Sequence, residues 1–404
     1  HPRRQCLVKP GGSNATDDAP AIRQAFAECG RGGDVMFEDS TYYINSVMNI
    51  TGLKDCRVHL NGYLLWSTNI TYWLNHSMPV GYQNQSTAFI LGGDEVTIDG
   101  YGRGTLDGYG DVWYSYIHGQ SNYPGRPHQI TFKGLTNSVV RGVKFLRSQM
   151  WTISIIHSNH VLLEDIYVNN TAFNGGSSSN TDGADTIYSS FIAFNRWTVV
   201  NGDDSISLKA NSTDITINNC TFYNGLGIAM GSIGQYKDAY ETIERVSADN
   251  IRYHNTLHAV YFKTWTGEQV GYPPNGGGGG LGLAADMKFT NLHAQSSFRG
   301  VPLTISQCTT FSGAAGNCTS SKFQIGDIEV SGLSGASKSA TLASFQCSAV
   351  RPCYNLTITD ADVTYTSSTG TAQATGYLCG NVVDPIGWNC TGPVCVGSSA
   401  TGGC

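Results

Sequence analysis

Apolar residues in this chain come mostly in runs of three or four, broken by Gly, Asn and Asp, and rarely at the helical spacing. One helix stands out near the start. Asp17-Asp18-Ala19-Pro20 supplies a cap and an early proline, and Ile22, Ala25 and Phe26 form an apolar face that ends by Gly30. Beyond it the short β runs recur. Val140-Arg141-Gly142-Val143 is echoed 23 residues later by Leu163-Glu164-Asp165-Ile166. Ile206–Leu208 and Ile228–Met230 stand 22 apart, and Val260–Phe262 follows after a longer loop. A repeat of about 20 to 30 residues holding two or three tiny strands predicts a parallel β-helix solenoid. A β-sandwich or barrel is the competing all-β reading, but these runs are too short and numerous for hairpins. The early helix would then cap the open end of the core.

Length changes this picture little. A chain of 404 residues would ordinarily suggest two or three domains. No linker is visible, so one β-helix domain over 1–404 is expected. Gly276–Gly280 reads as a mobile loop, lacking the strand–loop–helix context and the lysine of a phosphate-binding loop.

Charge narrows the partners. The net charge is −6, with no Lys/Arg cluster and no run of 18 apolar residues. Nucleic acid and membrane are therefore not expected as partners. The chain opens His1-Pro2-Arg3-Arg4, as a processed mature chain would. Its 12 cysteines include the close pairs Cys308/Cys318, Cys347/Cys353 and Cys379/Cys390, with Cys6/Cys29 a plausible fourth bridge. No C-x-x-C or His cluster suggests zinc. Together with sequons such as Asn14, Asn69 and Asn355, this predicts a secreted, glycosylated, disulfide-bonded monomer without cofactor or metal.

Chemistry concentrates in two acidic clusters. Asn180-Thr181-Asp182-Gly183 precedes Thr186-Ile187-Tyr188, and Gly202-Asp203-Asp204, with Asp203 21 residues after Asp182, precedes Ile206-Ser207-Leu208. On stacked coils about 4.8 Å apart the three acids would crowd together. Crowding lets one carboxyl hold a proton while another stays ionised, as glycoside hydrolysis requires. A lone Asp in such a chain would more often bond its own turn.

These clusters resemble the signature of the polygalacturonase family, glycoside hydrolase family 28. Leu106-Asp107-Gly108 before Trp113-Tyr114, Arg126-Pro127-His128-Gln129-Ile130 and Gln149-Met150-Trp151-Thr152-Ile153 resemble its upstream landmarks, so the likeness spans nearly the whole chain. The resemblance implies a right-handed parallel β-helix and an inverting hydrolase. By position, Asp203 resembles the general acid, and Asp182 and Asp204 the pair that activates water. Asn180 supports the site and is placed with the substrate-binding residues.

Two departures shape the substrate expectation. Gly225-Leu226-Gly227 stands where the family usually has Gly-His-Gly, so the general acid must be poised by neighbouring acids and burial. Tyr261-Phe262-Lys263 replaces Arg-Ile-Lys, leaving Lys263 as a single cation for one carboxylate. Tyr261, Trp265 and Tyr236 are expected to stack on sugar, although inward aromatics also fill β-helices. The pattern implies a uronate on one side of the bond and a neutral sugar on the other, as in rhamnogalacturonan. The chain resembles fungal exo-acting members of the family, rhamnosidases among them, and Trp66–Gln85 is placed to wall off one end of the groove. An exopolygalacturonase is the nearest rival. A calcium-dependent lyase and a non-catalytic carbohydrate-binding solenoid are remoter.

Overall fold

The computed structural model describes residues 2–175, 178–269 and 276–399. They form two compact units, His1–Asp204 and Ser205–Cys404. Each is built from short parallel strands stacked coil upon coil.

In the first unit, Val58, Ile98, Val140, Leu163 and Phe194 lie in register on successive coils, all buried. Leu64, Leu106, Phe145, Val168 and Val199 make a second such column. Apolar columns facing inward bury a continuous core that no single coil can build alone. The predicted 23-residue repeat is the observed register, Val140 against Leu163. Earlier coils are longer because they carry insertions. One holds the Ile70–His76 helix, capped by the Asn69 side chain on the Tyr72 N–H, and another the Asp111–Tyr116 helix. Both helices went unpredicted.

The predicted first helix spans Ala19–Cys29 and buries Ile22, Ala25 and Phe26. Ile22 and Phe26 meet Val58, Leu60 and Leu64 at the end of the core. Asp17, not Asp18, accepts the Ala19 N–H at 3.0 Å, while Asp18 ties Gly11 and Tyr43. The Cys6–Cys29 disulfide fastens the helix to the Gln5–Val8 strand.

The second unit repeats the scheme. Ile206, Ile228, Val260, Leu303 and Ala343 form one buried column, and Ile217, Ala248, Phe289, Val330 and Ile358 another. Asparagines stack at its corners: Asn250 donates to Asn219 at 2.9 Å and Asn255 to Asn224 at 3.1 Å, all four in the left-handed region. Three predicted disulfides close here, Cys308–Cys318, Cys347–Cys353 and Cys379–Cys390, while Cys56 and Cys220 are buried outside any disulfide.

Gly276–Gly280 corrects an expectation. All five residues are buried, and the N–H groups of Gly278, Gly279 and Gly280 donate to Gln235, Thr266 and Gly234. Glycine serves close packing here: a Cβ on Gly278, at φ +123°, would stand 2.3 Å from the Glu268 carbonyl oxygen.

Candidate active site

The first unit brings Asp182, Asp203 and Asp204 together, with one oxygen from each within 4.8 Å of the others. Stacking explains this. Thr152 N–H donates to the Asp182 carbonyl and Gly183 N–H to the Asp204 carbonyl, so three consecutive coils are laced at one edge. Two buried asparagines hold the turns. Asn170 Nδ2 reaches Thr152 Oγ1 and the Thr181 carbonyl. Asn201 Nδ2 reaches the carbonyls of Thr181, Asp203 and Asp204. Gly202 is needed for contact, since a Cβ there would meet Ser178 Oγ at 2.5 Å.

The acids differ in setting. Asp182 and Asp204 are each 3% exposed, whereas Asp203 is half-buried. Asp203 accepts two backbone N–H groups, Asp204 on Oδ1 at 2.8 Å and Asn180 on Oδ2 at 2.9 Å. A fourth acid, Asp185, is fully buried on the Ala184–Ile187 strand beside Asp182. Burial first, then the charges of Asp185, Asp203 and Asp204, push Asp182 well above the usual carboxylate range. Asp182 therefore gives up its proton less readily than an ordinary carboxyl does. The resemblance had given the proton-donating role to Asp203.

Other predicted residues fall as follows. Asn180, at φ +57°, accepts the Asn122 N–H on its side chain at 2.9 Å. Tyr261 and Lys263 line a cleft of about 560 Å³ in the second unit, with His258, Thr304 and Ser306. Trp265 is 7% exposed and Tyr236 half-buried, and neither is among the described residues lining that cleft.

Sequence reasoning missed Asp185, Asn170, Asn201 and the burial of Arg126, 1% exposed beside the acids. Asn170 and Asn201 were findable: they are 31 residues apart, one coil, in the register that pairs Asn169 with Val200.

Comparisons with known proteins bear on the family and the fold. The family model described as "Glycosyl hydrolases family 28" matches residues 48–383. The chain is 60% identical over 404 residues to alpha-L-rhamnosidase rgxB of Aspergillus niger, covering 100% of this chain and 94% of that protein. It is 36% identical over 387 residues to a putative galacturan 1,4-alpha-galacturonidase A of Aspergillus niger, covering 89% and 87%. In fold it is similar to the endo-xylogalacturonan hydrolase of Aspergillus tubingensis, with TM-score 0.80, 24% identity and coverage of 96% and 99%. The fold class is the right-handed parallel β-helix of those enzymes.

Proposed function

This chain belongs to glycosyl hydrolases family 28, and from that premise we propose an exo-acting pectin glycosidase that releases terminal rhamnose from rhamnogalacturonan. The observation that carries the sugar assignment is the 60% identity, over the full chain, to an alpha-L-rhamnosidase. The second unit's cleft supports it. Among its described lining residues Lys263 is the only Lys or Arg, and Tyr261 stands beside it, so the cleft suits one carboxylate rather than a run of them.

In the reaction, Asp203 gives its proton to the glycosidic oxygen as the bond to the anomeric carbon breaks. Asp182 and Asp204 take a proton from the water that attacks that carbon from the opposite face. Water's oxygen ends on rhamnose, and the released chain keeps its oxygen as a hydroxyl. The three nearest carboxylate oxygens lie closer than the roughly 6.5–9.5 Å general for inverting pairs. Inversion therefore rests on the resemblance, and proton NMR of fresh product tests it by the anomer that appears first.

Exo action draws on the insertion at Trp66–Gln85. Gln85 Nε2 reaches Asn122 Oδ1 at 3.5 Å, and Asn122 N–H donates to Asn180, so the insertion is tied to the turn carrying Asp182. We read 1–404 as one catalytic domain, secreted and monomeric. Disulfides of the kind that persist in oxidising compartments, four of them between described residues as Cys6–Cys29, Cys308–Cys318, Cys347–Cys353 and Cys379–Cys390, support secretion.

Product chromatography decides the sugar. Rhamnogalacturonan oligomers ending in rhamnose are expected to give free rhamnose as the sole early product. Galacturonate from polygalacturonate would make the enzyme an exopolygalacturonase, the reading that its relatives of that type favour. Lys263→Ala is expected to raise KM on acidic oligomers about tenfold or more, the loss of one charge-assisted hydrogen bond, and to leave neutral aryl rhamnosides nearly unchanged. Equal losses on both would remove Lys263 as a carboxylate ligand.

A further inference from the structure

Arg126 occupies an unusual position in the first unit. Its guanidinium is nearly wholly buried yet faces no carboxylate at hydrogen-bonding distance among the described contacts. Nε donates to the Gln149 carbonyl at 2.5 Å and Nη2 to the Ser179 carbonyl at 3.0 Å, while Nη1 is buried with no protein partner. The fork therefore bridges two coils by their backbone. Residues 149 and 179 are the ones leading into Trp151-Thr152 and Thr181-Asp182.

The Ser179 carbonyl belongs to the same peptide group as the Asn180 N–H. That N–H donates to Asp203 Oδ2 at 2.9 Å. In a planar trans peptide the two groups point in opposite directions, so fixing the oxygen also aims the hydrogen. A cation on the oxygen further polarises the amide and strengthens its N–H as a donor. The Asn122 N–H on the Asn180 side chain pins the turn from the other side, with Asn180 held at φ +57°.

Charge adds to geometry. Four acids meet here, three of them buried, and Arg126 feels the charges of Asp203 and Asp182. Burial lowers Arg126 to about 10, opposed by Tyr114, Asp203 and Asp182, so it remains a cation at any pH where the enzyme would work. Tyr114 spends its hydroxyl on the Ser148 carbonyl. Asp182 in turn faces Asp185, Asp203 and Asp204.

We propose that Arg126 is a positioning residue for the reaction: it orients and polarises the Ser179–Asn180 peptide that holds Asp203, and its charge offsets the carboxylate cluster. The inference rests on the catalytic reading of Asp203, so Asp203→Asn runs beside each variant.

Steady-state kinetics on rhamnose-terminated oligomers, with pH profiles and melting curves, test it. In Arg126→Gln, kcat is expected to fall roughly 100-fold with KM within about threefold, as misplacement of a reacting group does. Both limbs of the pH profile should move to higher pH, because carboxyls without a neighbouring cation hold their protons longer. Arg126→Lys keeps the charge and loses the fork. It should lose about tenfold in kcat with the limbs in place, and it serves if the glutamine variant does not fold. Wild-type kcat in either folded variant, or a loss with unmoved limbs in Arg126→Gln, overturns the proposal. An active Asp203→Asn would instead overturn the catalytic reading beneath it.

Discussion

Asp203→Asn is expected to cut kcat on rhamnogalacturonan oligomers by about 10³-fold while the melting temperature stays near wild type. The substitution is nearly isosteric. The carboxylate it replaces is half-buried, so little packing is lost; the carboxamide oxygen still accepts one of its two backbone N–H groups, and removing a charge from the acid cluster offsets the loss of the other. What disappears is a proton for the leaving oxygen. That specifies a second result, because an aryl rhamnoside with an acidic phenol leaves without being protonated. Asp203→Asn should therefore retain far more of its activity on the aryl substrate than on the oligomer. If both substrates lose equally, Asp203 is not the proton donor, and the water-activating role would pass to it. If neither loses and the protein is folded, the cluster is not catalytic at all.

The fold was legible where the chain repeats cleanly. The offsets from Val140 to Leu163 and from Ile206 to Ile228 are true registers, since on those coils nothing intervenes between strands. Insertions hid the rest. The coils joining Val58, Ile98 and Val140 carry extra segments whose short helices have too few turns to show a period. The predicted strand at Thr186–Tyr188 lies at Ala184–Ile187, and the shift matters because it puts Asp185 inside the sheet next to Asp182. A charged residue in an otherwise apolar run carries no sign in sequence of which neighbour it will meet. Arg126 was visible only as part of a landmark. Its work is done through backbone carbonyls of Gln149 and Ser179, which no pattern of side chains announces. Gly276–Gly280 looked mobile because five glycines signal freedom. Three backbone hydrogen bonds and close carbonyl approach made them a packed turn instead.

Asp182→Asn should abolish most activity and stabilise the protein, and the sign of the stability change depends on pH. Asp182 is raised above its ordinary value by burial and by Asp185, Asp203 and Asp204. In the unfolded chain it returns to about 3.9. The folded state therefore binds this proton more tightly. Its stabilising effect is complete below the unfolded value and is lost as pH rises through the raised folded one. At neutral pH the cluster is a cost, tolerated because ionised Asp182 is needed to take a proton from water. Asn keeps the shape without the charge, so the melting temperature should exceed wild type at pH 7 and the difference should close towards pH 3. The kcat loss should be about 10²-fold or more, with no relief on aryl rhamnosides, since a better leaving group does not replace a base. The same raised value sets the wild-type profile. Activity should fall on the acid side at a pH above the ordinary carboxylate range of about 3.9–4.3, as Asp182 regains its proton. A melting temperature at pH 7 equal to or below wild type would mean that Asp182 is not under the strain its burial among three carboxylates implies, and an acid limb near pH 3 would say the same of the working enzyme.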